Sequence, residues 1–431
     1  MKIAVIGGGF TGLSAALRLI SAGHQVTLLE KEPVLGGLAH GFREAGWDWH
    51  LEFAYHHFFT NDASLIALAG SVGMERDLII RRPVTATYVN GRMYQLDSPL
   101  SLLRFPVLPF TDRIRTGLVL AGAKLNPFWR PLERYTAETV FRTLGGSLAW
   151  GTIWQPLLYG KFGELAPTVA ASWLWARIRK RTTRLGYIRG GFQTLVVKMA
   201  DLIRSSGGII RTGSAVTRIE PESGPGARPG FSVTGSGTPV RADRVLLTIP
   251  TPLVAKIVPG MPPAYLRPAE TIPHLHAHLL ILETAEPILN SVYWLNINDR
   301  SFPFLAAVAH TNFMDRSHYG NRHLTYFGNY LPPDHAYLKM DKTQVIELYT
   351  PFIRRLEKKF SPAGIFRSFM FTGPFAQPVH QTGYSARIPH LKTPLPGMYL
   401  ANMDSIVPWD RGTNYAVELG QTAAQTILQD R

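Results

Sequence analysis

The chain has 431 residues, 45% of them hydrophobic and 11% aromatic, which suffices for large buried cores in roughly two or three domains. It contains no cysteine, so disulfides, cysteine-ligated metals and thiol nucleophiles are excluded. Its formal net charge of +15 favours anionic partners, such as phosphorylated small molecules or an acidic membrane surface, although a generally basic proteome would explain the charge as well. No nucleic-acid-binding module is recognisable, and we expect no nucleic-acid partner.

No uncharged apolar run reaches the ~18 residues that a membrane-spanning helix needs. The apolar N-terminus is better explained as a strand, a loop and a helix than as a signal peptide. We therefore expect a cytoplasmic protein, with peripheral membrane contact as a further option. The sequence makes no prediction of oligomeric state.

The N-terminal stretch predicts a strand, a glycine-rich turn and a helix. Residues 3–6 form an apolar run typical of a buried parallel strand, and residues 13–22 carry apolar side chains at helical spacing. Between them stands the motif G-x-G-x-x-G, formed by Gly7, Gly9 and Gly12. The first glycine allows the tight turn, the second lets a pyrophosphate approach the backbone, and the third lets helix and strand pack closely.

Glu30 follows the second predicted strand, residues 25–29, at the distance from the motif that a dinucleotide-binding unit requires. A carboxylate there accepts hydrogen bonds from the ribose hydroxyls and repels a 2′-phosphate. The helix start, at Phe10 and Thr11, offers free N–H groups and a partial positive charge to the phosphates. This pattern predicts a site for FAD or NAD rather than NADP.

Residues 30–37, EKEPVLGG, indicate which of the two ligands, FAD or NAD, is bound. The segment resembles the extended fingerprint of glutathione-reductase-like flavoproteins, especially those of the amine oxidase, protoporphyrinogen oxidase and phytoene desaturase superfamily. In that superfamily the glycine pair lets the chain pass close to the FAD diphosphate. The motif and the resemblance together predict these N-terminal cofactor contacts: Gly7, Gly9, Phe10, Thr11, Gly12, Glu30, Lys31, Gly36, Gly37 and Leu38.

Residues 38–62 are rich in aromatic residues and histidines. The resemblance implies that a loop at residues 54–60 touches the edge of the flavin ring, and this loop is also similar to the histidine-bearing flavin loop of UDP-galactopyranose mutase. His56 or His57 is therefore a candidate to bond to flavin or substrate. The alternative is that both histidines are structural.

The next segments predict the start of a second domain. Residues 64–72 predict a helix, and residues 82–96 predict a hairpin that turns at Asn90-Gly91. Residues 99–134 are apolar with interspersed arginines and a lysine, a pattern that fits either a membrane-docking surface or a helical cap over the substrate.

Residues 154–181 resemble a segment common in protoporphyrinogen-oxidase-like flavoproteins, and Thr136 is a plausible N-cap of the helix before it. We expect a turn at residues 160–163 that faces the cavity. By resemblance, Lys161 could be the lysine that holds a water near flavin N5 in some relatives; a surface lysine is the alternative. The basic end of the following helix indicates either a solvated helix end or a phosphate site.

Residues 186–219 return to the superfamily pattern, with a helix at 193–205. By resemblance, the backbone at Val216 packs on the adenine. Residues 221–230 predict a loop, and residues 231–247 predict a hairpin.

Residues 256–374 should complete the substrate domain, with three strands and an amphipathic helix at 342–360. Five histidines are scattered there, and no carboxylate partner for them is obvious. Structural histidines are therefore favoured over metal ligands, and we predict no metal site. These histidines are His274, His276, His278, His310 and His323.

The C-terminal region resembles the end of the superfamily's chain, with a strand at 397–401, a loop at 402–414 and a helix at 415–428. In relatives the loop and helix start lie under the ribityl chain and the pyrimidine ring. This sequence departs from the usual Gly-Asp/Glu, which is replaced by Asn402-Met403. The resemblance implies these contacts to cofactor or cavity: Met403, Asp404, Trp409, Asp410, Arg411, Thr413, Asn414 and Tyr415.

The predicted fold class is α/β, or α+β overall. We expect a glutathione-reductase-like Rossmann domain that binds FAD, and a discontinuous substrate domain of mixed sheet and helices with a helical cap. The FAD-binding domain is predicted to comprise residues 1–80, 185–255 and 375–431, and the substrate domain residues 81–184 and 256–374.

The predicted function is that of an FAD-dependent oxidoreductase of the protoporphyrinogen oxidase or phytoene desaturase type. An apolar or anionic small molecule would give hydride to flavin N5. The alternative is a non-redox flavoenzyme, similar to UDP-galactopyranose mutase, that acts on a nucleotide- or lipid-linked sugar. The candidate catalytic residues are His56, His57, Lys161, Trp409 and Tyr415.

Overall fold

The computed structural model describes residues 1–222 and 230–430. The loop predicted at residues 221–230 therefore lies, except at its two ends, outside the described residues. The strands in the described part are β1 (Lys2–Ile6), β2 (Gln25–Leu29), β3 (Gly41–Phe42), β4 (Leu51–Glu52), β5 (Phe58–Phe59), β6 (Leu78–Arg81), β7 (Val84–Val89), β8 (Arg92–Gln95), β9 (Leu185–Ile188), β10 (Ile209–Arg211), β11 (Val216–Glu222), β12 (Gly230–Gly235), β13 (Val240–Ala242), β14 (Arg244–Leu247), β15 (His274–Thr284), β16 (Val292–Ile297), β17 (Ala306–Ala309), β18 (His323–Leu331), β19 (Ile365–Pro378) and β20 (Met398–Leu400). The α-helices are α1 (Phe10–Ser21), α2 (Ala63–Ser71), α3 (Pro99–Leu103), α4 (Phe110–Leu125), α5 (Ala137–Gly145), α6 (Ser147–Ala149), α7 (Gln155–Phe162), α8 (Ala171–Lys180), α9 (Phe192–Ser205), α10 (Thr251–Ile257), α11 (Pro263–Glu270), α12 (Lys342–Leu356) and α13 (Thr413–Gln429).

A parallel sheet of strand order β10–β2–β1–β14–β20 carries the N-terminal motif. Side chains alternate across it: Ile3 and Val5 join a core with α1, α9 and α13, whereas Ala4 and Ile6 face the antiparallel β11–β12–β13 and the helices α10 and α11. Both faces are therefore covered, which explains why β1 is an unbroken apolar run.

Two predictions about this sheet need correction. The helix expected at 13–22 begins at Phe10, directly after the N-cap Gly9. Its start was missed because Gly12, a poor helix former, lies in its first turn. The region 231–247 is more than one hairpin: β12 and β13 form a hairpin, but β14 joins the parallel sheet between β1 and β20.

A second sheet, of mixed orientation, has the strand order β19–β15–β18–β17–β16–β7–β8. β7 and β16 pair in parallel, and the other neighbours are antiparallel. The hairpin predicted at Asn90-Gly91 is confirmed, since both residues have positive φ, 50° and 76°, as a type I′ turn requires. α12 covers one face of this sheet and ends at Leu356, earlier than predicted.

A layer of helices formed by α4, α5, α7 and α8 shares a third core, which contains buried tryptophans of α8. The N-cap at Thr136 is confirmed, because its hydroxyl accepts a hydrogen bond from Thr139 N at 3.1 Å. The turn predicted at 160–163 is wrong: α7 continues to Phe162 and ends at Gly163, whose φ is +54°. Among the helices of the described residues, none has the length and apolar character needed to cross a membrane.

Candidate active site

The glycine-rich turn after β1 and the glycine pair after β2 lie side by side. Gly9 and Gly36 form a parallel bridge, and the Gly36 N–H donates to the Gly8 carbonyl at 2.9 Å. The buried Glu30 carboxylate lies next to this contact and accepts hydrogen bonds from Gly8 N at 2.6 Å and Glu32 N at 2.9 Å. The structure thus brings Glu30 and both glycine segments into one cradle.

The glycines of the motif differ in what surrounds them. A Cβ on Gly12 would lie 2.0 Å from the Gly7 carbonyl oxygen, so the packing of α1 on the turn excludes any side chain there. A Cβ on Gly9 would meet, among the described atoms within 4 Å, the Gly37 Cα alone, at 3.9 Å. The φ of Gly9 is −78°, a value open to any residue. The polypeptide therefore does not itself require glycine at position 9.

α13 crosses α1 at close range. A Cβ on Gly420 would lie 2.2 Å from Ser14 Oγ and 2.3 Å from the Thr11 carbonyl oxygen, and Ser14 Oγ donates to the Val417 carbonyl at 3.3 Å. Both helices begin without a side-chain cap and without an acidic residue in the first turn. Their N-terminal N–H groups and positive dipole ends are thus suited to an anionic or polar ligand.

A small, partly open cavity adjoins this cradle. It touches Leu38, which follows the glycine pair, and Arg411, which precedes α13. Its other apolar lining residues are Ala54, Ala277, Leu279 and Ala376. Its other polar lining residues are Tyr55, His56, Asn329 and Tyr330.

The structure brings His56 to this cavity, but His57 is not part of the described lining. His56 Nδ1 lies 2.6 Å from the Ala54 carbonyl oxygen, and burial lowers the pKa of His56 to about 4. His57 Nδ1 lies 3.1 Å from the Tyr293 hydroxyl, its ring packs on Trp294, and burial lowers its pKa to about 3. Both imidazoles are therefore neutral near pH 7, so His56 offers the cavity a hydrogen bond rather than a charge.

A buried charge cluster connects α7, α8 and the C-terminal loop. Lys161 Nζ lies 3.1 Å and Arg177 Nη1 lies 2.7 Å from the same oxygen of Asp410. Lys161 is only 6% exposed, and this burial lowers its pKa to about 7 against the attraction of Asp410. Burial acts to raise the pKa of Asp410, but the charges of Lys161 and Arg177 hold it well below its usual range. Asp410 is thus an anion shared by two cations.

Arg411 extends this cluster to the cavity. Its Nε donates to Gln377 Oε1 at 2.9 Å, and its Nη2 donates to the Tyr330 hydroxyl. Gln377 in turn donates to the second oxygen of Asp410 at 3.1 Å. Burial lowers the pKa of Arg411 to about 10, which leaves it charged at neutral pH. The wall of the cavity therefore carries a net positive charge.

Trp409 and Tyr415 lie together, outside the described cavity lining. The Trp409 ring stacks between Trp175, at 5.5 Å, and Tyr415, at 5.8 Å. Lys180 Nζ lies over both Trp409 and Tyr415. The Tyr415 hydroxyl is buried and has no hydrogen-bond partner among the described residues. It is therefore a free polar group close to the start of α13.

Other predicted contacts of the C-terminal loop have side chains engaged by the fold. Asp404 accepts a hydrogen bond from Thr251 Oγ1 at 2.5 Å and lies 2.6 Å from His274 Nε2, so His274 does have a carboxylate partner. Asn414 Oδ1 accepts a hydrogen bond from Leu65 N at 3.1 Å. These contacts leave backbone groups, rather than side chains, as the means by which the loop can contact a cofactor.

The remaining predicted positions are placed as follows. Met403 opens a short 3₁₀ turn, Thr413 is the first residue of α13, and Val216 opens β11. Lys31 is exposed beside Glu32, with their charged atoms 3.1 Å apart.

Sequence analysis missed Asn329, Tyr330 and Gln377. These residues lie near the ends of β18 and β19, in otherwise apolar strands, and a polar residue inside such a strand is the signal that could have found them. Gly420 was missed as well; a glycine inside a helix is a signal of close approach by another element.

Glu52 is a buried acid that sequence analysis also missed. Its carboxylate accepts hydrogen bonds from the Tyr187 hydroxyl at 2.7 Å and from Phe192 N, the first residue of α9, at 2.6 Å. Burial raises the pKa of Glu52 to about 7, although both hydrogen bonds oppose the shift.

We expect Glu52→Gln to remove a pH dependence of stability. Because the folded pKa of Glu52 is raised, its contribution to stability is complete below the unfolded pKa and is lost as pH rises through about 7. Between about pH 6 and pH 8 the wild type should lose about 1 kcal/mol of unfolding free energy relative to the variant. Urea unfolding at both pH values measures this difference, and parallel pH profiles for the two proteins would contradict the assignment.

The cradle on the parallel sheet and the cavity beside it are features typical of an enzyme that depends on a nucleotide cofactor. Residues 10–428 match the family described as flavin-containing amine oxidoreductase, and the chain belongs to that family. It is an FAD-dependent oxidoreductase, and the predicted cofactor is confirmed.

Known proteins share parts of the sequence and the whole fold. The zeta-carotene desaturase of Synechocystis sp. is 33% identical over 182 residues, which are 37% of this chain and 37% of that protein, so the match spans little more than a third of the relative's length. An oxidoreductase from Methanosarcina mazei has a TM-score of 0.75 at 19% identity, with 99% of this chain and 100% of that chain covered. Reduced UDP-galactopyranose mutase has a TM-score of 0.76 at 16% identity, with 99% and 95% covered. At these identities the two structures establish the mixed helix-and-sheet fold alone.

The residues of the cradle fit FAD. The space beside Gly9 and the two uncapped helix starts suit a diphosphate and the polar edge of a flavin. Glu30 lies where an acid is needed for the ribose, and the unpartnered Tyr415 hydroxyl is available to a ligand.

Proposed function

We propose that this protein is a desaturase-type FAD oxidoreductase that removes a hydride and a proton from adjacent carbons of a largely apolar small molecule, which leaves a carbon–carbon double bond and releases the proton to water. The observation that carries this proposal is the position of the cavity, between Leu38 and Arg411 and therefore next to both segments that flank the cradle. Its apolar lining and the partial similarity to zeta-carotene desaturases favour a carotenoid-like polyene as the substrate. When bound, FAD supplies the acceptor for the hydride of the broken bond.

We also propose that the parallel sheet belongs to the domain that binds FAD and the mixed sheet to the domain that binds the substrate. Every strand of the parallel sheet comes from residues 1–80, 185–255 or 375–431, which supports a glutathione-reductase-like FAD-binding domain made of these segments. The mixed sheet is built from residues 81–184 and 256–374, apart from the end of β19, and would hold the substrate.

In this proposal the cradle residues hold the cofactor, and the cavity residues orient the substrate. The turn at Gly7–Gly12 and the pair Gly36-Gly37 would hold the diphosphate, Glu30 the ribose, and Val216 the adenine. The start of α13 would hold the flavin ring. Neutral His56 donates through Nδ1 to the Ala54 carbonyl, so its Nε2 can only accept a hydrogen bond, and the cluster around Asp410 places positive charge behind Arg411.

The reaction is tested with the purified holoenzyme under anaerobic conditions. We expect zeta-carotene in lipid vesicles to bleach the visible flavin absorption and to yield a product that has lost two hydrogens, detected by mass spectrometry. An enzyme that binds FAD yet neither bleaches nor dehydrogenates any of a panel of polyenes would overturn the proposal.

A second candidate is a non-redox flavoenzyme that acts on a nucleotide- or lipid-linked sugar. The net positive charge at the cavity wall favours it, because this charge suits the phosphates of such a substrate better than it suits a hydrocarbon. The test is to incubate chemically reduced enzyme with UDP-galactopyranose. Isomerisation without net oxidation would establish this candidate, whereas bleaching by a polyene without added reductant would exclude it.

A further inference from the structure

The outward side of α4 is apolar along its whole length. Its exposed apolar side chains are Phe110, Ile114, Leu118 and Leu125, with exposed fractions between 41% and 80%. Their spacing places them on one stripe, about 24 Å long at the rise of an α-helix. Throughout α4, all of which is described, Thr116 is the one fully buried residue. This helix therefore departs from the usual pattern, in which a surface helix turns its polar side to water.

Neighbouring segments extend this stripe. Leu103 at the end of α3, which packs on α4, is 40% exposed, and Phe128, just beyond α4, is 72% exposed. We call the stripe together with Leu103 and Phe128 the apolar face. Soluble monomers rarely expose contiguous apolar surfaces of this kind unless a partner covers them.

Basic residues are interspersed with the apolar face along the chain, and we call them its rim. Residues 99–135 contain six arginines and lysines and two acids. One of these acids, Glu133, is buried and accepts hydrogen bonds from Ser385 N and Oγ. Exposed cations therefore dominate the rim, among them Arg104, Lys124 and Arg130.

We propose that the apolar face rests on a bilayer with anionic headgroups, with the α4 stripe at the boundary between headgroups and acyl chains. The rim cations would contact the anionic headgroups. The positive charge of the rim favours lipid rather than a second copy of the chain as the partner, because a symmetric contact would bring two positive rims together. An anionic bilayer supplies both the apolar phase and the opposite charge.

The inner side of α4 connects this surface to the charge cluster. Val119, Leu120 and Ala123 pack in the same core as Trp175 of α8, and α8 also carries Arg177. One layer of helix, α8, thus lies between the proposed membrane face and the charge cluster around Asp410. The inference does not depend on which reaction the enzyme catalyses.

The first test is sedimentation of the FAD-loaded protein with lipid vesicles. We expect binding to vesicles of phosphatidylcholine with phosphatidylserine, and at least ~10-fold weaker binding for Phe110→Glu/Leu118→Glu/Leu125→Glu. The matched control is Val197→Glu/Ile209→Glu/Phe366→Glu, which adds the same charge at exposed apolar positions outside the face. The control should bind much more tightly than the first triple variant, with unchanged flavin content in both.

The second test uses the absence of cysteine in the chain. Leu118→Cys provides a unique thiol for a polarity-sensitive fluorophore, and its emission should shift to the blue on anionic vesicles while that of a label at Val197→Cys should not. This measurement needs no disruptive change to the face. Pure phosphatidylcholine should give a much smaller shift.

Three outcomes would overturn the proposal. Equal binding by the two triple variants would show that general charge, rather than the apolar face, holds the protein on vesicles. An unshifted label at position 118 on bound protein would place the face outside the lipid. The third outcome is a protein that does not bind vesicles but forms a concentration-dependent dimer in ultracentrifugation. If the α4 triple variant abolishes that dimer, the face serves self-association.

Discussion

We expect Gly9→Ala to give a folded protein that no longer retains FAD. The added Cβ meets only an ordinary contact, 3.9 Å from the Gly37 Cα, and the backbone at residue 9 is in a region open to alanine. The methyl group would instead occupy the space proposed for the diphosphate. Since overpacking costs about 1–3 kcal/mol, FAD affinity should fall roughly 10- to 100-fold. Flavin content after gel filtration and the dissociation constant from fluorescence measure the loss.

Two other glycines act as controls for this prediction. Gly70→Ala lies in α2, with nothing within 4 Å of its Cβ in the described structure, and should leave flavin content unchanged and stability equal or raised by up to about 1 kcal/mol. Gly12→Ala places a Cβ 2.0 Å from the Gly7 carbonyl oxygen, so it should lower the unfolding temperature of the apoprotein as well as flavin binding. If Gly9→Ala binds FAD as tightly as the wild type, the proposed position of the diphosphate is wrong.

Asp410→Ala should destabilise the fold by about 3 kcal/mol, because it leaves the buried Lys161 and the half-buried Arg177 without their shared anion. The Asp410 side chain is 14% exposed, so water cannot replace the lost contacts fully. Gln377 also loses its acceptor, and Gln377 holds Arg411 at the cavity. Urea unfolding of the apoprotein measures the stability, and activity should fall with it.

Two further variants test whether the lost stability of Asp410→Ala comes from the buried cluster or from the removal of any acidic side chain. Asp201→Ala removes an exposed partner of Arg204 and should change stability by no more than about 1 kcal/mol. Adding Lys161→Met to Asp410→Ala removes the buried amine that has lost its partner and should recover part of the loss. If the double variant is less stable than Asp410→Ala, the unpaired buried amine is not the cause of the destabilisation.

Much of the cradle could be predicted from sequence because its parts are close in the chain. β1, the glycine motif, α1, β2 and Glu30 form one continuous unit, and each glycine performs a local task that its position reveals. The Asn90-Gly91 hairpin and the Thr136 cap were predictable for the same reason. The strand, turn, helix and acid were therefore predictable before any long-range contact was known.

The cavity could not be predicted in this way, because the residues that form it are far apart in the chain. Lys161 was predicted in a turn, either as a lysine near the flavin or as a surface lysine, and its burial beside Asp410, which is 249 positions away, could not be foreseen. The sequence does not distinguish His56 from His57 as a residue of the site. In the structure His57 packs against Tyr293 and Trp294, and His56 faces the cavity.

The sequence by itself therefore determined the N-terminal unit of a strand, a glycine-rich turn, a helix and an acid, whose geometry follows from local backbone rules. Only the tertiary structure decided which polar groups meet at the cavity, and that one helix keeps an apolar stripe in contact with solvent. Side-chain burial depends on contacts between distant segments, and no local pattern encodes which distant segment will supply them.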